Sequence, residues 1–179
     1  LREPILLMTD VIRSLGAEVN PAQTASDYYG EGDTGLQWGE HFFRSAKRMG
    51  QPLHEALSVF SFYPPDYVSQ HAQGLVAPEF AIMDTSTALE RTNFVDLVST
   101  GEHPYVRFNQ REDTQYRRWA EEDPEALLDE LDTMMLHGAM SEAMRSEIRR
   151  AMDQVRTPHD KVAMAVYLVA TSPDYQVLH

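Results

Sequence analysis

The sequence lacks several features that would define a class of protein. It contains no cysteine, which excludes disulfide bonds, thiolate catalysis and cysteine-ligated zinc. It has no apolar run of the roughly 20 residues that span a bilayer; the longest run, Val162 to Ala170, has the length of a buried helix. Basic residues are few, 15 against 28 acidic ones, and the net charge of −13 disfavours nucleic acid and anionic lipid as partners.

The motifs of familiar active sites are missing as well. No Gly-x-Ser-x-Gly elbow, phosphate-binding glycine loop or dinucleotide fingerprint occurs in the chain. The seven histidines include no pair four residues apart and no His-Glu-x-x-His motif, which disfavours a zinc hydrolase. The sequence therefore leaves open whether the protein is an enzyme, and it predicts no organic cofactor.

What is present is helical periodicity along most of the chain. Apolar residues recur every three or four positions behind Pro4, from 36 to 49, from Pro78 to Gly101 and through most of residues 124–171. A chain of 179 residues suffices for one domain with a sizeable core. We predict an all-α fold over residues 1–179, an irregular bundle of about six helices with long ordered loops. The segment VAMAVYLVA, apolar on all sides, is predicted to be its buried central helix.

One connector, Gly50 to Ile82, is too broken by proline to form a single helix or strand. It carries Phe60, Phe62 and Tyr63 just before two consecutive prolines. We predict that these rings fill the core of the bundle, although aromatic residues beside prolines also line ligand grooves.

The same connector, with Asp84 just after it, supplies the weak catalytic candidates. His54 and His71 lie near Asp66, Glu79 and Asp84 in sequence. If folding brings them together, they form an acid–base or metal site suited to hydrolysis. A structural role for each, at the surface or as a helix cap, is the favoured interpretation.

Two acidic segments are also candidates. Asp27, Glu31 and Asp33 offer hard oxygen ligands on a flexible loop, as calcium requires, but they lack the EF-hand spacing, and a solvated loop is favoured. The second segment, Glu121 to Asp132, contains seven acids and no base. Its favoured interpretation is a solvated helix face, and a docking surface for a basic partner is the alternative.

Several segments in order resemble a known family. They are EPILLMTDVIRSLGA, GQPLHEALSVFSFYPPDYV, GLVAPEFAI, MSEAMRSEI and KVAMAVYLVATSPDYQV. Together they resemble the C-terminal part of the bacterial family called domain of unknown function eighteen hundred. Asp66 and Lys161 depart from the residues that are common in that family, and the family's N-terminal half, rich in histidine and arginine, is absent.

The resemblance implies a mostly helical protein, often exported and often encoded beside a sulfatase-like protein, with no established catalytic residue. It also implies that this chain is a fragment of a larger protein. We therefore predict a helical scaffold or interaction domain of a larger exported protein, periplasmic or extracellular, that acts with a partner protein or on an extracellular polymer. The alternative is a hydrolase of such a polymer, with its carboxylate and histidine site around residues 54–84.

Overall fold

The computed structural model describes residues 1–19, 37–56, 58–59, 61–68, 76–109 and 114–177. Within these residues the chain forms eight α-helices and a two-stranded antiparallel sheet. The helices are α1 (Pro4–Ser14), α2 (Gln37–Arg48), α3 (Thr85–Ser99), α4 (Gln115–Glu122), α5 (Pro124–Leu131), α6 (Glu142–Met152), α7 (Pro158–Thr171) and α8 (Pro173–Gln176). The mostly helical fold class is confirmed. No helix in this part of the chain is long and apolar enough to cross a membrane.

The sheet consists of β1 (Glu18–Val19) and β2 (Val106–Arg107) and was not predicted. Glu18 pairs with Arg107, and Val19 pairs with Val106. Strands of two residues are too short to show the alternation of apolar and polar residues that identifies a strand in a sequence. The sheet fixes the loop after α3 against the end of α1.

Helix starts in the second half of the chain are fixed by capping side chains. The side chains of Asp123, Ser141 and Thr157 each accept a hydrogen bond from a backbone N–H three residues later. Such caps satisfy donors that have no partner within the helix. Local sequence therefore sets the starts of α5, α6 and α7.

The predicted single helix from Pro78 to Gly101 is wrong in one respect. A short 3-10 helix, Pro78–Ile82, is separated from α3, which begins only at Thr85. Asp84 and Thr87 form a reciprocal capping box, in which the Asp84 carboxylate accepts from the Thr87 N–H at 2.8 Å. This box makes Thr85 the favoured start of the helix, and its N–H bond lowers the pKa of Asp84.

Helix α7 is the central member of the bundle, as predicted. It contacts α3, α4, α5, α6 and α8. Six of its residues are buried, namely Val162, Ala163, Ala165, Val166, Val169 and Ala170. The helix therefore holds these five helices in place through apolar contacts.

The rings of the connector that the structure describes lie outside this core, so the prediction that they fill the bundle is wrong for those rings. Phe62 and Tyr63 are only half-buried, and Val59 is 95% exposed; Phe60 lies outside the described residues. Polar contacts attach the connector to α1 and the residues before it, since the buried Gln51 amide donates to the Glu3 carboxylate at 2.7 Å and accepts from the Ile5 N–H at 3.0 Å. The same amide donates to the Tyr63 hydroxyl at 3.1 Å. Irregular backbone carries polar groups that a core cannot satisfy, which favours the surface.

The acidic segment from Glu121 to Asp132 is largely exposed, and some of its carboxylates form ion pairs with arginines of α6. Arg145 of α6 lies 2.8 Å from Asp129, and Arg149 lies 3.0 Å from Glu125. Exposed pairs of this kind contribute little to stability. They do neutralise part of the surface that was the alternative docking site for a basic partner.

Candidate functional site

The connector candidates do not form a site among the described residues. His54 and Asp66 are exposed, Glu79 is half-buried in the 3-10 helix, and Asp84 caps α3. No hydrogen bond or ion pair joins these four side chains to one another, and His71 lies outside the described residues. The predicted hydrolase site therefore stays a prediction.

The calcium candidates Asp27, Glu31 and Asp33 also lie outside the described residues. In the part of the chain that the structure describes, no group of three histidine or carboxylate side chains is placed to hold a metal ion. Calcium binding at this loop stays a prediction.

A different set of polar side chains does converge, in a cleft of about 310 Å³ between α2 and α3. Its wall includes the apolar residues Met49, Phe94 and Leu97, and His103 from the loop after α3. The other polar lining residues are His41, Ser45, Arg48, Glu90, Asn93 and Asp96. The cleft thus combines hydrogen-bonding groups with a small apolar surface.

His103 is the most constrained of these residues. Its ring is 5% exposed, and its Nδ1 accepts hydrogen bonds from the backbone N–H groups of Tyr105, at 3.2 Å, and Val106, at 3.0 Å. Burial lowers the pKa of His103 to about 3, and His41 contributes to the lowering. The neutral ring therefore carries its proton on Nε2, a buried donor for which the described structure holds no acceptor.

His41 stands beside it. The two ring centroids are 4.9 Å apart and the rings are perpendicular. Burial lowers the pKa of His41, as do the nearby charges of Arg48 and Arg44. Both imidazoles are therefore neutral at pH 7, so this cleft presents hydrogen-bonding groups and no histidine cation.

The geometry favours recognition of a ligand over covalent chemistry. Ser45 lies one helical turn after His41, but no hydrogen bond joins the two side chains in the described structure. A serine nucleophile needs such a base within hydrogen-bonding distance. Among the described residues, no ion pair involves Arg48, Glu90 or Asp96 of the cleft. Their charges therefore remain available to a ligand.

Sequence reasoning missed this cleft. His41, Ser45 and Arg48 share one face of α2, and Glu90, Asn93 and Leu97 share one face of α3. Polar residues at helical spacing beside an apolar stripe were the available signal. Which two helical faces meet was not visible in the sequence.

Fold and cleft together define a mostly helical domain with a small polar cleft between two neighbouring helices. The model of a family described as protein of unknown function (DUF1800) matches residues 1–177, so the chain belongs to this family. The resemblance found in the sequence is confirmed. No curated protein and no solved structure matches the chain.

Proposed function

We propose that the chain is an interaction domain of a larger, exported protein, in which the helical scaffold presents the connector to a protein partner. The supporting observation is the exposure of apolar side chains along this connector. Val59 is 95% exposed, Val76 is 58% exposed and Val68 is 46% exposed. Large apolar side chains that cluster on a surface often mark a binding site.

Two of these valines are held side by side. Val68 and Val76 form an isolated antiparallel bridge, and the N–H of Ala77 donates to the carbonyl of Tyr67 at 3.0 Å. Residues directly opposite each other in such a pair project to the same side. The connector therefore offers a small apolar surface on a fixed piece of backbone.

Charge indicates the chemistry of the partner. Asp66 and Glu79 belong to the connector, and Asp84 follows it closely. None of the three forms an ion pair among the described residues. The chain as a whole carries a net charge of −13. A partner protein with an apolar contact surface surrounded by basic residues is complementary to this segment. The sulfatase-like protein that the family resemblance implies is the first such partner to test.

Photocrosslinking in cells tests this proposal. A photoreactive amino acid replaces Val59 or Val76 in the full-length protein, and Ser146, exposed on α6, is the control position. We expect both connector positions to crosslink to the same protein, and a Val68→Asp substitution to reduce the crosslink about tenfold, equivalent to about 1.4 kcal/mol of binding energy. The purified pair should bind more weakly as salt is raised.

The outcomes separate the proposal from its alternatives. Equal crosslinking from Ser146 would show that the connector is not the interface. The same conclusion would follow if neither Val68→Asp nor added salt reduced crosslinking. A crosslink to glycan in place of protein would favour action on an extracellular polymer. A crosslinked product found only in the cytoplasm would contradict export of the protein.

A further inference from the structure

His103, which lines the cleft between α2 and α3, has a hydrogen-bond donor with no acceptor in the described structure. Nδ1 of His103 accepts two backbone N–H groups, so Nε2 carries the proton and has no acceptor in the described structure. A protonated ring nitrogen cannot ligate a metal ion. Because a buried donor without an acceptor is costly, a group with an accepting oxygen fits this position best.

The charged residues of the cleft restrict the ligand further. Arg48 of α2 faces a cleft that also contains Glu90 and Asp96 of α3, so the formal charge of the lining is negative with both histidines neutral. An anion would be repelled by the two carboxylates. A cation would leave the donor of His103 without an acceptor. Hydroxyl groups suit both the His103 donor and the two carboxylates, because each hydroxyl can accept from a histidine or arginine and donate to a carboxylate.

The remaining lining adds an apolar contact and a limit on size. Phe94 and Leu97 lie beside Asn93, whose amide both donates and accepts. A pyranose ring has the matching surface, with an apolar C–H face and hydroxyl groups at its edge. The volume of about 310 Å³ is at the lower end of ligand pockets, about 300 to 1,000 Å³, so it accommodates one ring and not a long chain.

We propose that this cleft binds one residue of a neutral sugar, with Nε2 of His103 donating to a ring hydroxyl and the Glu90 and Asp96 carboxylates accepting from others. Nε2 is covered by its neighbours, and the ring of His41 stands 4.9 Å away and is only half-buried. For a sugar to reach Nε2 the His41 side chain must turn aside, so the ring signals of His41 are expected to change on binding. This site is separate from the protein interface proposed above, and the crosslinking result does not bear on it.

Nuclear magnetic resonance of the ¹⁵N-labelled histidines in the whole chain tests the proposal. The probes are glucose, galactose, mannose and N-acetylglucosamine with their oligosaccharides, compared with glucuronate and inorganic phosphate. We expect at least one neutral sugar to shift the Nε2 signal of His103 and the ring signals of His41. Tighter binding of an oligosaccharide identifies a glycan chain as the source, and equal binding identifies a free sugar.

Two variants assign the effect to the cleft. Asn93→Ala and Asp96→Asn, both at exposed positions of α3, are each expected to weaken sugar binding about tenfold. Leu89→Ala, at an exposed position of the same helix outside the cleft, is the matched control and should bind as the parent does. The proposal is overturned if no neutral sugar shifts His103, if only glucuronate or phosphate does, or if Leu89→Ala weakens binding equally.

Discussion

Lowering the pH from 7 to 4 is expected to destabilise the parent chain by about 3 kcal/mol more than its His103→Asn variant. The pKa of His103 is about 3 in the folded chain, whereas an unfolded histidine has a pKa of about 6.5. Between these values the unfolded chain binds a proton that the folded chain does not. The stability that comes from the neutral buried ring is therefore complete above pH 6.5 and is lost as the pH falls towards 3.

The variant separates this effect from the protonation of carboxylates. The side-chain oxygen of asparagine can accept from the Val106 N–H, as Nδ1 of His103 does at 3.0 Å, but it does not titrate. Urea unfolding of both proteins at pH 7, 5.5 and 4 provides the measurement. His137→Asn, at an exposed histidine with left-handed backbone, is the matched control and should follow the parent chain. Parallel pH curves for the parent and His103→Asn would show that the ring is not held neutral by burial.

Arg91→Ala is expected to lower the free energy of unfolding by about 3 to 5 kcal/mol. Arg91 is 2% exposed, and its guanidinium donates to the Arg2 carbonyl at 2.8 Å and to the Gln176 side-chain oxygen at 3.1 Å. It thus joins α3 to the segment before α1 and to α8. Burial lowers the pKa of Arg91 to about 10, so it stays charged at pH 7. Alanine leaves a cavity, and it removes the donor from the buried Gln176 oxygen and the partly buried Arg2 carbonyl.

Urea unfolding at pH 7 measures this loss, with two further variants as controls. Arg150→Ala, at an exposed arginine of α6, should change stability by no more than about 0.5 kcal/mol. Arg91→Met retains much of the side-chain volume but no donor, so a loss of about 1 to 3 kcal/mol is expected from the unpaired oxygens. A loss below about 1 kcal/mol for Arg91→Ala would contradict the role given to this contact.

Much of the helical framework was predictable because it is encoded locally. Caps such as Ser141 and Thr157 satisfy backbone donors within one turn, so they act wherever the helix packs. The connector was placed wrongly because aromatic content does not indicate which side of a ring is covered. Tyr63 directs its hydroxyl to Gln51 and leaves part of its ring exposed, an arrangement that depends on the distant α1. Glu3, just before α1, holds the same Gln51 amide at 2.7 Å.

The cleft could not be predicted because its parts are far apart in the chain. His41 lies on α2, whereas His103 lies after α3, and they meet only because the two helices pack together. The low pKa of His103 also results from tertiary burial, which a single sequence does not show. The choice of His54, Asp66 and Glu79 rested on closeness in sequence alone, and no hydrogen bond or ion pair joins these three side chains in the described structure.

We propose that the connector is a recognition surface carried by a helical core whose stability does not depend on the connector's exposed side chains. The most direct measurement is the free energy of urea unfolding of the double variant Val59→Asp, Val76→Asp, whose parent side chains are 95% and 58% exposed. We expect a change of no more than about 1 kcal/mol, because exposed substitutions rarely cost more than about 0.5 kcal/mol each. A loss of more than about 3 kcal/mol would mean that the connector is part of the core, which would contradict the claim.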